Sequence, residues 1–199
     1  PSKGAWQFTN AIDSWNWQGY EGKKTIVEVY SDASIIRLEL DNKIIGIKKL
    51  KEFKALFHVR YMPGKLMAIA LDENGKEISR STLITGSNKT ILTVKVSKTI
   101  MKANNQDLCF AEIEFTDEYG VLKPYIEQRV ELEINGQSVV LQGFGSALCK
   151  TDEVFDKTYH NSYRGRVLAV FRATDKKGAT EVTIKSKGVL SVKLNLEVK

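Results

Sequence analysis

Residues 25–30 read Thr-Ile-Val-Glu-Val-Tyr and residues 166–173 read Arg-Val-Leu-Ala-Val-Phe-Arg-Ala, and these two stretches decide the fold. Both are rich in β-branched residues, and side chains of different polarity alternate with the two-residue period of a strand. No window keeps the i, i+3, i+4, i+7 apolar spacing of an amphipathic helix for long. The sequence therefore predicts an all-β chain.

Other stretches with the same alternation lie between and after these two in the sequence, and Gly or Asn turns separate them. In the first half we predict strands at residues 25–30, 35–40, 53–60, 65–71 and 77–83. In the second half we predict strands at residues 91–96, 107–115, 129–134, 138–141, 166–173, 181–185 and 190–198. Seven strands at this spacing in about 110 residues are what an immunoglobulin-like sandwich requires.

A short polar stretch, Gly86-Ser87-Asn88-Lys89, separates the two sets of strands. At 199 residues the chain has room for two domains of ordinary size. We therefore predict two immunoglobulin-like β-sandwich modules in tandem, at residues 1–86 and residues 87–199. Residues 1–22 form an aromatic-rich lead-in to the first module.

The charge balance is basic, with 30 Lys and Arg against 24 Asp and Glu and a net charge of +6. The lysines are scattered along polar strand faces and turns, and no recognition helix, zinc finger or RNP-type motif accompanies them. We therefore expect a solvated surface and no nucleic-acid partner. No apolar run approaches the roughly 18 residues of a membrane span, and no leader precedes the strands, so we expect an excised segment without a span.

Few residues suggest a disulfide, a metal site or a catalytic group. Cys109 and Cys149 are too few for a disulfide scaffold, and we expect two free thiols that are buried or half-buried. His58 and His160 have no second His or Cys at zinc spacing, so we predict strand or loop histidines, no metal site and no cofactor.

Two glycine-containing patterns predict turns and irregular backbone. Asp72–Gly75, Asp117–Gly120 and Asp175–Gly178 share an Asp-x-x-Gly pattern between strand-like stretches, which predicts hairpin tips. The run Gly143-Phe144-Gly145-Ser146 lacks the context of a phosphate loop or a nucleophile elbow. We interpret it as a glycine-permitted bulge or crossover in a sandwich.

Aromatic residues concentrate at the start of the chain. Trp6, Trp15 and Trp17 are its three tryptophans, and Phe8 and Tyr20 lie beside them. Aromatic faces suit sugar rings or a partner surface, because they bury much area at little entropic cost. Three roles stay open for Trp6, Trp15, Trp17 and Tyr20: a sugar-binding platform, a seam against a neighbouring domain, and the core of the module itself.

The first half also carries a run of specific motifs: Ser14-Trp15-Asn16-Trp17, Glu21-Gly22, Val27–Ala33, Leu38–Lys43 with Gly46, Phe57–Tyr61, Pro63–Leu66 and Gly75–Ile78. They resemble the segment that follows the catalytic barrel in bacterial glycoside hydrolase family 2 enzymes, many of which are β-galactosidases. In the second half, Ala103, Gln106–Leu108, Asp117 with Gly120, and Gly165 resemble the immunoglobulin-like C-terminal module of the same enzymes.

The resemblance implies that the catalytic machinery lies elsewhere. Enzymes of that family are retaining glycosidases with two carboxylates about 5 Å apart on a (β/α)8 barrel. Such a barrel takes about 250 residues of alternating strand and helix and cannot fit here. We therefore expect an accessory region without catalytic residues, whose partner is the catalytic barrel of the same parent chain.

Two alternatives compete with that expectation. The chain could be a carbohydrate-binding module that grips a polysaccharide, or a cell-surface spacer of adhesin type. The resemblance implies a bacterial protein, and we favour an extracellular or periplasmic location over a cytoplasmic one.

Overall fold

The computed structural model describes residues 11–199, and all regular structure among them is β. The predicted all-β fold of tandem sandwiches is therefore confirmed. Two compact units follow one another along the chain, and the second begins at Gly86. Within the described residues, no helix is long and apolar enough to span a membrane.

The described part of the first unit holds a two-stranded ribbon and a four-stranded sheet. The ribbon pairs β1 with β4, and the sheet has the order β3-β2-β5-β6, with every pair antiparallel. The strands are β1 (Lys24–Tyr30), β2 (Ile35–Leu40), β3 (Lys43–Lys49), β4 (Lys54–Arg60), β5 (Lys65–Leu71) and β6 (Glu77–Ile84).

The core of the first unit lies between ribbon and sheet. Val27 faces Phe57 across the ribbon, and both pack with Leu38 of β2 in one apolar cluster. Strand β5 is buried on both faces, because Met67, Ile69 and Leu71 on the face that points away from this cluster are buried as well. A strand that is apolar on both faces reads as a continuous hydrophobic run, as β5 does.

The second unit is a sandwich of a five-stranded and a four-stranded sheet, with orders β12-β10-β14-β15-β8 and β11-β13-β9-β7. Its pairs are antiparallel except β15 with β8, which is parallel. The strands are β7 (Ile91–Val96), β8 (Ile100–Met101), β9 (Leu108–Thr116), β10 (Arg129–Asn135), β11 (Val139–Gly145), β12 (Tyr159–Asn161), β13 (Arg166–Ala173), β14 (Gly178–Ser186) and β15 (Val192–Val198).

Alternation along β9 builds the second core. Cys109, Ile113 and Phe115 are all buried there, as the two-residue period predicts. Both cysteines are free. The expectation that each thiol is at least half-buried is wrong for Cys149, because the residue lies exposed in the connection between β11 and β12.

Three strands escaped sequence prediction. Strands β8 and β12 are only 2 and 3 residues long, too short for a period to register. Strand β3 is 7 residues long, but the register against β2 shifts between Leu38 and Glu39. Such a shift interrupts the alternation of side chains along the strand, so the sequence of β3 lacks the two-residue period.

The Asp-x-x-Gly pattern forms the same turn twice. Asp72 Oδ1 accepts the Asn74 and Lys76 N–H groups at 2.9 and 2.8 Å, and it closes the predicted hairpin between β5 and β6. Asp117 Oδ1 accepts the N–H groups two and four residues on at the same distances.

The third predicted hairpin tip is wrong. The Asp175–Gly178 segment joins β13 to β14, which belong to different sheets, and the hydroxyl of Thr174 accepts the Lys176 N–H there. At Asp117–Gly120 the predicted turn forms, but the chain after it pairs with β9 only at one bridge, between Thr116 and Leu122. This turn is therefore not the tip of a full two-stranded hairpin.

Candidate functional site

Trp15 lies in the core of the first unit. Its side chain is 4% exposed, and its ring meets the Tyr61 ring edge-on with centroids 4.9 Å apart. The indole Nε1 donates to the Met62 carbonyl oxygen at 2.9 Å. A buried indole with its only donor paired is a structural anchor, because no polar handle is left for a ligand.

Trp17 and Tyr20 lie nearer the surface. Trp17 is half-buried, with its Nε1 donating to the Ser14 carbonyl oxygen, while Tyr20 is 52% exposed. Their rings meet edge-on at 6.5 Å, and the Lys23 ammonium lies 4.3 Å from the centre of the Tyr20 ring. Trp6 lies outside the described residues.

A groove of about 520 Å³ runs beside Trp15 and Trp17 along strand β1. Glu28 and Tyr30 of β1 lie on its wall, and the Tyr30 hydroxyl donates to Glu28 at 2.5 Å. The Lys54 ammonium lies 2.9 Å from the same carboxylate, and the hydrogen bond with Glu28 raises the pKa of Lys54. The groove thus combines aromatic faces with an ion-paired carboxylate, which can accept hydrogen bonds from hydroxyl groups.

Two buried carboxylates lie in the second unit. The Glu114 carboxylate contacts Lys95 at 2.6 Å and Arg166 at 2.8 Å. Burial pushes the pKa of Glu114 up, but the two cations hold it below its ordinary value. A glycosidase general acid needs the opposite shift.

Asp117 is the other buried carboxylate, and backbone groups surround it. Oδ1 accepts the Tyr119 and Val121 N–H groups, and Oδ2 accepts the Ser87 N–H at 2.8 Å. Burial pushes the pKa of Asp117 up, but these N–H groups hold it below its ordinary value. Asp117 therefore fastens the start of the second unit to its β9 turn.

Lys123 is a buried residue that sequence reasoning missed. Its ammonium donates to the Thr90 hydroxyl at 3.1 Å, and burial lowers the pKa of Lys123. Lysine is almost never buried without a partner, so only its neighbours in space could have revealed this position. Together with Asp117, Lys123 ties residues 87–90 to the loop after β9.

The two histidines are a strand residue in β4 and a strand residue in β12. His58 is exposed, whereas His160 is fully buried, stacked on Phe155 with centroids 5.6 Å apart. Nδ1 of His160 lies 2.8 Å from the Asn161 carbonyl oxygen, while Nε2 has no hydrogen-bond partner among the described residues. In residues 11–199 no three His, Cys, Asp or Glu residues gather as metal ligands.

The glycine run near residue 143 is part of strand β11. The register against β13 shifts between Leu141 and Gly143, which confirms the predicted bulge. A Cβ on Gly145 would overlap the Phe155 ring, which is 53% exposed and would have to shift to admit a side chain. The run therefore serves close packing of the connection that follows it.

Fold and geometry together define an all-β protein of tandem sandwich units. Residues 92–195, more than half of the chain, match the family model described as glycoside hydrolase family 2 C-terminal domain 5. Residues 22–79 match a model described as domain of unknown function DUF4982. The chain belongs to glycoside hydrolase family 2, through its C-terminal domain.

Similar proteins are much longer than this chain. Beta-galactosidase BoGH2A of Bacteroides ovatus is 24% identical over 193 residues, which are 96% of this chain and 22% of that protein. A family 2 member from Bacteroides cellulosilyticus is 27% identical with a TM-score of 0.89, over 96% of this chain and 25% of the other. Another from the same species, strain DSM 14838, is 26% identical with a TM-score of 0.88, over 98% and 27%. The chain thus spans about a quarter of these relatives.

Proposed function

We propose that this chain is the non-catalytic C-terminal accessory region of a β-galactosidase-like family 2 enzyme, and that its two units brace a catalytic barrel carried elsewhere in the polypeptide. One observation carries the proposal: the chain aligns almost completely with about a quarter of a β-galactosidase and of two family 2 structures. The chain belongs to the C-terminal domain of that family.

The carboxylates of the second unit support the same proposal. Retaining glycosidases need an acid with a raised pKa about 5 Å from a second carboxylate. Glu114 and Asp117 both have lowered pKa values, and each has its oxygens engaged by cations or backbone N–H groups. Both therefore serve as structural anchors.

The test compares the 199-residue chain with the longer polypeptide that its gene encodes. We expect the longer polypeptide to hydrolyse an aryl β-galactoside, and the chain alone to match its own heat-denatured control. Removing the chain from the longer polypeptide is expected to lower the melting temperature of the remainder. Turnover by the chain alone that Glu114→Gln abolishes would refute the proposal.

A second candidate function is carbohydrate binding in the groove beside β1. The observation that favours it is that the half-buried Trp17 lines the same groove as Glu28 and Tyr30, whose side chains are hydrogen-bonded to each other. Titration with galactosides and plant polysaccharides, followed by calorimetry and tryptophan fluorescence, tests it. Heat and quenching that Trp17→Ala removes and Tyr119→Ala leaves intact would support binding, and neither signal at millimolar sugar would exclude it.

A further inference from the structure

Strand β3 presents isoleucines to solvent from the edge of a sheet. Ile44 and Ile47 are 58% and 59% exposed, and Ile45 between them is exposed too. Within the described residues β3 pairs with β2 only, so its outer edge carries no strand. We call Ile44, Ile45 and Ile47 the isoleucine edge.

The isoleucine edge continues onto the ribbon. A side chain at Gly46 would meet the Phe57 ring at 2.8 Å, and the Lys48 ammonium donates to the Leu56 carbonyl oxygen at 2.6 Å. Strand β3 therefore contacts β4 of the ribbon through side chains, while no backbone ladder joins the two strands. On the outward face of the ribbon, Leu56 and Ile26 add further exposed apolar surface.

An exposed apolar edge strand is unusual, because its free N–H and C=O groups and its side chains invite another chain to pair. Large exposed apolar patches mark interaction sites in soluble proteins. We propose that the isoleucine edge is the surface through which the first unit binds another domain of the same polypeptide, and that this domain presents an apolar centre with an acidic rim. The inference rests on the proposed function and names the surface that does the bracing.

The positive charge near the isoleucine edge indicates whether this edge binds a second copy of the chain or a different partner. Lys43, Lys48, Lys49 and Lys51 flank the isoleucine edge in the sequence, and residues 43–51 contain no Asp or Glu. Across the strand pair Ile44 lies opposite Glu39, but that carboxylate already accepts a hydrogen bond from Arg37 at 2.7 Å. Two copies joined through this edge would set these lysines against each other, and like charges across an interface are repulsive. An acidic rim would instead pair with them.

The length of the family 2 relatives indicates where the partner of the isoleucine edge lies. The chain spans about a quarter of its family 2 relatives, so a polypeptide of their size holds several further domains. Domains in one chain meet at high effective concentration, so a modest apolar surface suffices for a stable contact.

Hydrogen exchange of the β3 backbone amides tests the inference, measured in the 199-residue chain and in the longer polypeptide. We expect amides of Lys43–Lys49 to exchange at least about tenfold more slowly in the longer polypeptide. Strand β6, the other edge of the same sheet, serves as the internal reference and is expected to exchange alike in both. Equal exchange of β3 in the two proteins would overturn the inference.

A matched pair of variants in the longer polypeptide separates this surface from a general effect. Ile47→Asp is expected to return β3 exchange to the rate of the isolated chain, whereas Ile78→Asp on β6, at a site 57% exposed, leaves it unchanged. Protection of β3 that survives Ile47→Asp would also refute the inference. Absence of glycosidase activity from the longer polypeptide would instead refute the proposed function, because β3 protection is measured independently of activity.

Discussion

The Thr85 hydroxyl donates to the Trp15 carbonyl oxygen at 2.7 Å, across 70 residues of sequence. The Thr85 hydroxyl oxygen also accepts the Gly64 N–H at 3.2 Å and lies 3.4 Å from the Tyr61 hydroxyl. One side chain at the end of the first unit thus satisfies three groups, and it joins the lead-in to the turn between β4 and β5.

Thr85→Val keeps the shape of the residue and removes this hydroxyl. We expect it to lower the free energy of unfolding of the first unit by about 1–3 kcal/mol, because a carbonyl and an N–H group lose their partner in a poorly solvated place. Urea unfolding followed by tryptophan fluorescence measures it, since the three tryptophans all lie in residues 1–17. Thr82→Val at an exposed site of β6 is the control, and an equal loss there would contradict the expectation.

Asp117→Asn is expected to destabilise the second unit by about 1–3 kcal/mol at neutral pH. The amide oxygen can still accept the Tyr119 and Val121 N–H groups, but its NH₂ group would face the Ser87 N–H, so two donors would meet. Asp72→Asn is the matched control. Asp72 makes the same kind of turn, but it accepts backbone N–H groups through Oδ1 only, so an amide NH₂ group in place of Oδ2 would meet no donor. We expect that control to stay within about 0.5 kcal/mol of the wild type.

The Asp117 variant also has a predicted pH dependence. The folded-state pKa of Asp117 is lowered, so the carboxylate stabilises the fold above its unfolded-state pKa, and this contribution disappears as pH falls through the folded-state pKa. The unfolding free energies of wild type and Asp117→Asn are therefore expected to converge as the solution is acidified. A constant difference from neutral to strongly acidic pH, measured by calorimetry, would contradict this.

The two thiols are expected to differ in reactivity. Cys109 is buried, its Sγ lies 3.0 Å from the Lys98 carbonyl oxygen, and burial raises the pKa of the thiol, whereas Cys149 is exposed. Because the thiolate is the reactive form, a disulfide reagent should titrate one thiol in the native chain and both in denaturant. Cys149→Ser should leave none reactive in the native state. Rapid labelling of Cys109 in that variant would show that the second core opens.

Gly145→Ala is expected to displace the Phe155 ring, uncover His160 and destabilise the second unit by about 1–3 kcal/mol. Gly143→Ala is the control in the same strand, since the nearest atom to its new methyl group would be the Phe155 carbonyl oxygen at 3.9 Å. Deuterium exchange at the imidazole C2 position of His160 reports the uncovering. If both variants exchange as slowly as the wild type, the Phe155 ring does not seal this site.

Sequence reasoning reached the all-β class because alternation in stretches such as 25–30 and 166–173 is a local property that later packing preserves. It missed β3 because a register shift against β2 breaks the period, and such a shift is decided between two strands. The Asp-x-x-Gly pattern predicted the Asp72 hairpin but failed at Asp175, because the same four residues also suit a crossover between sheets.

The roles of individual side chains depended on distant residues. Burial of Trp15 follows from Tyr61 and Thr85, and burial of Lys123 follows from Thr90, 33 positions away. Nothing near Trp15 in the sequence distinguishes it from Trp17, which is only half-buried. The sequence shows that aromatic residues concentrate at the start of the chain. Only the three-dimensional contacts show that Trp15 is a buried anchor, whereas Trp17 lies nearer the surface.

The position of Thr85 sets an order of events during synthesis. Because the residue that secures Trp15 is the last of the first unit, a nascent chain cannot complete that unit until Thr85 has left the ribosome. By then the opening of the second unit is already being translated. Trp15 must wait for its partner while strands β1 to β6 assemble, so a translational pause within the codons of the second unit, after Thr85 has emerged from the ribosome, would favour correct folding.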